Sequence, residues 1–397
     1  MTSLTVRTTL SRATPRPAGA AGPDLTGGWI PEVWLGAPAT GGLTLPAASP
    51  TPAWMYSPRC VFFDDDHLVA ADSGNHRVLI WNGVPNRDGQ PADVVLGQPD
   101  ATSEGRAAGG RGPENGMNLP TGVLIHRGQL IVADAWHHRI LVWRELPEEH
   151  GTPPDLVLGQ PDLSSVEPNA GRECSAATLY WPFGVAMVGS TFWVADTGNR
   201  RVLGWSAGIP EPGQPADIVL GQADARHREE NRGEEVGPHS FRWPHSLTGT
   251  DRLLLVADAG DHRVLGWSPL PSGDQPADLV LGQPDFTTAQ EWPYGPQQGD
   301  RLRFPYSVCL DTAGAPAQRL AVADTANNRI LLWDALPADG RPADHVLAQP
   351  SFAANGENRW DAVTHDSLCW PYGVWLRGNR LAVADSGNNR IMIWRRH

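Results

Sequence analysis

Short apolar runs recur along the chain, and each is followed by a polar turn and a second apolar run. The pattern is clearest at 255–267, LVADAGDHRVLGW, where an Asp-containing turn and an Arg separate two apolar runs. Related segments recur along the chain and end at five other tryptophans: Trp81, Trp143, Trp205, Trp333 and Trp394. The Asp of the six copies lies at 72, 134, 196, 258, 324 and 385, in steps of 62, 62, 62, 66 and 61 residues. Such regular spacing indicates an array of similar supersecondary units.

Each repeat divides into four predicted strands. In the second repeat these are PTGVLI (120–125), QLIVAD (129–134), HRILVW (138–143) and DLVLG (155–159). Between the last two strands of each repeat lie segments with Asp-Gly, Pro and Gly, the residues that turns require. Four short strands in each of six repeats predict an all-β fold, a six-bladed β-propeller of four-stranded blades.

The two ends of the chain predict how the ring closes. Residues 1–27 are rich in Thr, Ala, Pro, Gly and Arg, and we expect them to form a flexible N-terminal arm. Residues 28–38, GWIPEVWLGAP, match the VLGQP segment of the full repeats, whereas the last repeat stops soon after Trp394 without one. We therefore expect 28–38 to be the outer strand of the last blade. The propeller would then span 28–397 without an open sheet edge at the seam.

The order of strands in an antiparallel blade decides which loops share a face. The turn between the second and third strands and the link from the fourth strand to the next blade must open on the same side. These links are about 19 residues long. Since that exceeds what ring closure requires, function is expected on the face that carries them.

The DxGNxRV pattern after an apolar strand resembles the NHL repeat, and six copies in register extend the resemblance over 28–397. NHL domains are six-bladed β-propellers, so the resemblance implies that fold. The longer period and the LGQPD tail are similar to a bacterial subgroup of NHL proteins. Some bacterial NHL proteins are encoded beside uptake NiFe hydrogenases and are regarded as accessory components. The resemblance therefore implies one specific role for this chain, as an accessory component of such a hydrogenase system.

Candidate binding residues are sought where the repeats differ. The residue after the Pro that opens each repeat starts the innermost strand and is predicted to ring the mouth of the central channel; these residues are Arg59, Thr121, Phe183, His245, Tyr306 and Tyr372. The fifth residue counted from each repeated Asp lies in a turn expected to face solvent; these residues are His76, His138, Arg200, His262, Asn328 and Asn389. Aromatic, His and Arg side chains at a channel mouth suit a peptide or a small polar ligand. The nominated binding residues are Arg59, Phe183, His245, Tyr306, Tyr372, His138, Arg200 and His262; the alternative is a set of exposed loop residues without a ligand.

Charge and hydropathy narrow the partners. The formal net charge is −13, and all 31 residues of the Lys+Arg count are Arg. The most basic link, 226–242, also holds Glu229, Glu230, Glu234 and Glu235. This balance predicts no nucleic-acid partner. No apolar run approaches the roughly 18 residues of a membrane span, and the N-terminus lacks the apolar segment of a signal peptide. A cytoplasmic protein without a membrane partner is expected, monomeric because the ring is closed.

The residues favour a non-catalytic scaffold that binds a protein or peptide partner. An Asp and an Arg that recur in every blade are interpreted as a structural pair, and the recurrent Trp as packing between blades. We expect no catalytic residue, metal or cofactor, because the chain has no GxSxG, HExxH or phosphate-binding loop. The alternative is a metal-dependent propeller lyase or hydrolase with its site in the channel. NHL-type lyases hold zinc with convergent histidines, and here only His245 starts an inner strand.

Overall fold

Six four-stranded antiparallel sheets follow one another along the described part of the chain, so the predicted β-propeller with six four-stranded blades is confirmed. The structure is a computed structural model that describes residues 24–292, 295–313 and 318–397. Of the predicted arm, residues 1–23 lie outside this description. The arm and the domain boundary at residue 28 stay predictions.

The strands of the described residues have the following bounds in chain order: β1 (Trp29–Gly36), β2 (Cys60–Phe63), β3 (His67–Asp72), β4 (Arg77–Asn82), β5 (Val94–Leu96), β6 (Pro120–His126), β7 (Gln129–Asp134), β8 (Arg139–Trp143), β9 (Leu156–Leu158), β10 (Pro182–Val188), β11 (Thr191–Asp196), β12 (Arg201–Trp205), β13 (Ile218–Leu220), β14 (Pro244–Gly249), β15 (Leu254–Asp258), β16 (Arg263–Trp267), β17 (Leu279–Leu281), β18 (Pro305–Leu310), β19 (Leu320–Asp324), β20 (Arg329–Trp333), β21 (His345–Leu347), β22 (Pro371–Arg377), β23 (Arg380–Asp385) and β24 (Arg390–Arg396). Each group of four from β2 onward forms one blade, and β22–β24 form the sixth blade together with β1. In the second blade the four observed strands lie within two residues of the predicted ones.

Helical structure is confined to short turns. A 3₁₀ turn follows the second strand of every blade, at Ser73–Asn75, Ala135–His137, Thr197–Asn199, Ala259–Asp261, Thr325–Asn327 and Ser386–Asn388. Other short turns lie in the links, at Arg106–Gly110, Pro113–Asn115, Pro168–Gly171, Glu230–Gly233 and Glu357–Trp360. In the part of the chain that the structure describes, no helix is long and apolar enough to cross a membrane.

The N-terminal strand closes the ring as predicted. β1 pairs antiparallel with β24, from Trp29 opposite Arg396 to Gly36 opposite Arg390. The register shifts after Pro31, which has no amide hydrogen to donate to the sheet. Contacts with the propeller begin slightly earlier, because the carbonyl oxygen of Leu25 accepts a hydrogen bond of 2.9 Å from the amide of Val346.

A buried ion pair organises one end of every blade. The repeated Asp ends the second strand and the repeated Arg begins the third, and their Oδ2 and Nε atoms lie 2.6–3.1 Å apart in all six blades. In the first blade the Arg77 guanidinium also donates to the carbonyl oxygens of Thr51, Trp54 and Ala101 in the two flanking links. The Arg therefore ties both links to the turn, and the structural interpretation of this pair is confirmed.

The turns after the second strands and the long links share one face, called the link face below. The Gln of the LGQP segment joins them: Gln98 Nε2 donates to the carbonyl oxygens of Asn75 in the turn and Gly105 in the link. The recurrent Trp residues are buried between the sheets, where they pack in apolar clusters shared by neighbouring blades. The inner strands surround the central channel, and their first residues lie on the link face.

Candidate functional site

The structure brings five of the nominated residues together at the mouth of the channel. Phe183, His245, Tyr306 and Tyr372 follow one another around it, with ring centroids 4.1, 4.5 and 4.5 Å apart. The Arg59 guanidinium completes the circle, 5.2 Å from the ring centroid of Tyr372 and 5.8 Å from that of Phe183. These five side chains are called the mouth ring. It forms because each residue follows the Pro that opens a repeat and lies at, or directly before, the start of an inner strand.

The mouth ring separates two cavities. Thr121, the sixth residue of the set, is buried, and its side chain is too short to reach the circle. Arg59 therefore reaches past the second blade to the ring of Phe183 in the third blade. Below the ring lies a narrow space of about 40 Å³, lined by inner-strand residues that include Cys60 and Val123. Above the ring, a larger cavity of about 280 Å³ opens on the link face. The channel is therefore closed at this level, and a ligand from the link face meets a floor.

This larger cavity is called the mouth pocket. Its floor is the mouth ring, and its walls are Trp136, Trp181, Trp243, Arg200 and the segment Thr197–Gly198. Its size is near the lower end of small-ligand pockets, and predominantly aromatic walls with a few polar groups are typical of binding sites. No carboxylate side chain lines it among the described residues.

The three tryptophans of the pocket wall were not nominated from the sequence. Trp181 and Trp243 directly precede the Pro that opens a repeat. The triplets WPF, WPH, FPY and WPY, in which a ring lies on both sides of this Pro, are the pattern in the sequence that could have identified these two tryptophans as pocket residues. Trp136 occupies a turn position that is Gly in four blades and Ala in a fifth. It is 43% exposed and packs against Trp181 in a tilted arrangement, with ring centroids 4.9 Å apart. An exposed Trp where the repeat has Gly marks this blade as different.

The turn histidines have another place in the structure. His138 and His262 adopt left-handed backbone conformations and are buried, so the expectation that they face solvent is wrong for these two. Their Nδ1 atoms accept hydrogen bonds of 3.2 Å from the backbone amides of Trp181 and Phe304 in the next blade. Because Nδ1 accepts, it cannot carry a proton, and burial lowers the pKa of each histidine to about 4. A ligand-binding role for them remains a prediction.

The same inter-blade hydrogen bond recurs around most of the ring. His76, Asn328 and Asn389 accept from the amides of Leu119, Trp370 and Ser57 at 3.0, 2.8 and 3.1 Å. Each donor residue has a positive φ and immediately precedes the Pro of an inner strand. This contact, called the inter-blade staple below, explains why His and Asn fill the position: both offer an acceptor, and Asn and His tolerate left-handed backbone better than most residues.

Arg200 is the exception, because a guanidinium has no acceptor. The corresponding amide of Trp243 donates instead to Asp258 Oδ1 at 3.0 Å, and Trp243 lacks the positive φ of its counterparts. Arg200 is left to line the mouth pocket, where its Nη1 donates to the carbonyl oxygen of Gly198 and its Nε has no partner. The junction between the third and fourth blades thus exchanges a structural contact for a cation at the pocket.

His245 lies on the other side of that junction. Its Nδ1 lies 2.8 Å from the carbonyl oxygen of Trp243, so Nδ1 carries the proton and donates. Burial, assisted by the nearby charge of Arg59, lowers the pKa of His245 to about 4, so the imidazole is neutral at pH 7. Its Nε2 is then an acceptor. Burial likewise raises the pKa of Tyr306, which keeps its phenol protonated.

The two pocket cations have no counter-ion among the described residues. Arg59 lies against aromatic rings, and its Nε is buried without a hydrogen-bond partner. Arg200 contacts only a carbonyl oxygen. Two unpaired guanidinium groups at one aromatic pocket, in a chain of net charge −13, make the pocket an electropositive point on an acidic protein.

Among the residues that the structure describes, no group of three or more His, Cys, Asp or Glu side chains converges as a set of metal ligands. In the mouth ring, His245 is flanked by Phe183 and Tyr306 rather than by other ligands.

Known proteins resemble this chain only distantly. No protein-family model and no curated protein matches the chain. Similar solved structures include a structural genomics protein of unknown function from Bacteroides thetaiotaomicron VPI-5482, at 12% identity and a TM-score of 0.49, covering 92% of this chain and 75% of that one. A second is virginiamycin B lyase from Staphylococcus aureus, at 12% identity and a TM-score of 0.42, covering 89% of this chain and 98% of that one. A third is the WD40 β-propeller domain of Doa1, at 12% identity and a TM-score of 0.46, covering 93% of this chain and 98% of that one. The likeness is one of fold alone.

Proposed function

We propose that this protein is a non-catalytic β-propeller scaffold that binds a protein or peptide partner on its link face, with the mouth pocket as the anchor. The observation that carries the proposal is the concentration of tryptophans and arginines around one cavity that opens on that face and has the mouth ring as its floor. Trp, Tyr and Arg are the residues that contribute most to binding at protein interfaces, chiefly where they line a desolvated pocket.

The surroundings of the pocket support a macromolecular partner. Trp136 at the pocket wall and Trp370 beyond the mouth ring expose 43% and 38% of their surface on the same face. The links around them are tied to the blades by the buried Arg139 and Arg390, whose guanidinium groups donate hydrogen bonds to carbonyl oxygens of the links. A preformed aromatic surface loses little conformational entropy when it binds.

The resemblance to NHL proteins supplies one specific hypothesis for the partner. Some bacterial NHL proteins are encoded beside uptake NiFe hydrogenases, and a component of such a system is the first partner to test. The same hypothesis places the protein in the cytoplasm. We also propose that the protein is a monomer, because the closed ring leaves no sheet edge to pair at the seam, and sedimentation tests this.

The proposal is tested by affinity purification of the protein from its native host in three forms. The wild type is compared with Trp136→Gly, which installs the residue that four other blades carry, and with Asp66→Ser in an exposed turn on the opposite face. A partner held by the wild type and Asp66→Ser but lost from Trp136→Gly is the expected result. If every bound protein is retained by Trp136→Gly, the mouth pocket is not the anchor.

The metal-dependent lyase or hydrolase is tested separately. Protein purified without added metal is assayed for bound metal, together with His245→Ala. A stoichiometric metal that is lost in His245→Ala would replace the scaffold proposal with the enzyme.

A further inference from the structure

We propose that the mouth pocket takes the carboxyl-terminal residue of a partner polypeptide, whose carboxylate pairs with Arg59 and Arg200 while an apolar or aromatic side chain packs on the rings. This inference rests on the proposed function and names the chemistry of the group that the pocket holds. Three features of the pocket carry it: its unpaired cations, its aromatic walls and its closed floor.

The cations require an anion. Arg59 and Arg200 line the same cavity without a carboxylate partner among the described residues, and each has a buried Nε that makes no hydrogen bond. Two guanidinium charges without a counter-ion favour an anion in the cavity, and a carboxylate there can accept charge-assisted hydrogen bonds from the accessible parts of these groups. The neutral imidazole of His245 does not add charge, so the attraction for an anion comes from the two arginines.

The walls require an apolar body next to that anion. Trp181 and Trp243 flank the cavity and the mouth ring forms its floor, so most of the surface that a ligand meets is aromatic. A free inorganic anion would leave these rings against water, and an uncharged aromatic side chain would leave the two guanidinium groups unpaired. A group that combines both properties matches the whole pocket.

The closed floor selects the end of a chain. Because adjacent groups of the mouth ring are in contact, an extended polypeptide cannot thread through the channel from the link face. A cavity of about 280 Å³ accommodates roughly one residue. A terminal residue offers a carboxylate and a side chain within that space, and the preceding residues of the partner would leave across the exposed Trp136.

The experiment compares two matched peptides by isothermal titration calorimetry. They are N-acetyl-Gly-Gly-Phe as the free acid and as the carboxyl-terminal amide, and they differ only in the terminal charge. Phenylacetate is a third probe, because it carries the same carboxylate and ring without a peptide chain. We expect the acid to bind the wild type at least about tenfold more tightly than the amide.

The variants are chosen so that the fold is retained. Arg200→Asn places at this turn position the residue that two other blades carry, and Arg59→Gln keeps a polar side chain of similar reach. Each should weaken the acid about tenfold and leave the amide unchanged. Arg144→Gln, an exposed arginine on the opposite face, is the control and should change neither. Circular dichroism and the unfolding midpoint show that each variant is folded.

Three results would overturn the inference: equal affinity for acid and amide, no measurable binding of the acid at millimolar concentration, or unchanged affinity for the acid in both arginine variants. Binding of phenylacetate without the peptide acid would also overturn it, since the pocket would then take a small molecule. In each case the scaffold proposal stands as long as Trp136→Gly loses a native partner.

Discussion

The inter-blade staple makes the stability of the ring depend on pH. His262 accepts a hydrogen bond at Nδ1 from the amide of Phe304, and protonation of that nitrogen would place a donor against a donor. The pKa of His262 is lowered from 6.5 to about 4, mainly by burial. The charge of Glu291 opposes this shift, and the charges of Arg242 and Arg303 add to it. The folded protein therefore resists protonation at a pH where the unfolded chain accepts it.

The sign and size follow from linkage. The contribution of His262 to stability is complete above pH 6.5 and is lost as the pH falls toward 4, because the unfolded state binds the proton first. At pH 5 protonation of His262 favours the unfolded state over the folded state by a factor of about 30. This factor corresponds to a loss of about 2 kcal/mol in the free energy of unfolding. His138 has the same contact and the same direction of shift.

His262→Asn isolates this effect. Asn keeps the acceptor, as Asn328 does toward Trp370 at 2.8 Å, but it does not titrate. At pH 7.5 we expect the free energy of unfolding of the variant to lie within about 1 kcal/mol of the wild type. Between pH 7.5 and pH 5 the wild type should lose about 2 kcal/mol more than the variant.

Urea unfolding followed by tryptophan fluorescence measures both quantities. The control is His397→Asn, which removes an exposed histidine and should leave the pH dependence of the wild type unchanged. If wild type and His262→Asn lose the same free energy on acidification, burial of this histidine does not couple to folding. The staple would then be a geometric coincidence rather than an energetic contact.

Three further predictions concern the ring itself. Asp196→Ala leaves a buried arginine unpaired and should lower the free energy of unfolding by about 3–5 kcal/mol in urea titrations. Deletion of residues 1–38 removes β1 and should lower the thermal midpoint and cause association on a sizing column, whereas deletion of 1–23 should do neither. Gly184→Ala forces a methyl group against a backbone carbonyl of the adjacent inner strand and should lower the free energy of unfolding by about 1–3 kcal/mol. Gly273→Ala adds a methyl group in open space and should leave the stability unchanged. Equal stability of the two variants would contradict this packing.

The sequence predicted the fold well because the repeat carries its own register. Each apolar run ends at an Asp or begins after an Arg, so the strand ends could be located within two residues in the second blade. Ring closure was predictable because the last repeat lacks its fourth strand, whereas residues 28–38 match such a strand and belong to no other blade. The parity of four antiparallel strands then placed the mouth ring on the link face without coordinates.

The turn residues and the pocket walls were not predictable in the same way. The role of His138 and His262 depends on a left-handed backbone at one blade and an amide of the next, and neither appears in a single repeat. Trp136 and Trp181 are in contact across a blade junction, and a pattern that is read within one repeat does not connect them. Arg200 was nominated because it departs from the His and Asn of the other blades at its turn position, and the same comparison at the position of Trp136 would have shown a Trp where most blades carry Gly.

Closure by β1 also sets an order of events during synthesis. The strand at Trp29–Gly36 is synthesised long before its partner at Arg390–Arg396; Glu32 and Arg395, which touch across the seam, are 363 positions apart. Until β24 emerges from the ribosome, β1 has no neighbour in the sheet, and its edge stays open to pairing with other chains. The sixth blade is therefore complete only once β24 has been made, and the long-range pairing is expected to make ring closure slow compared with formation of the individual blades.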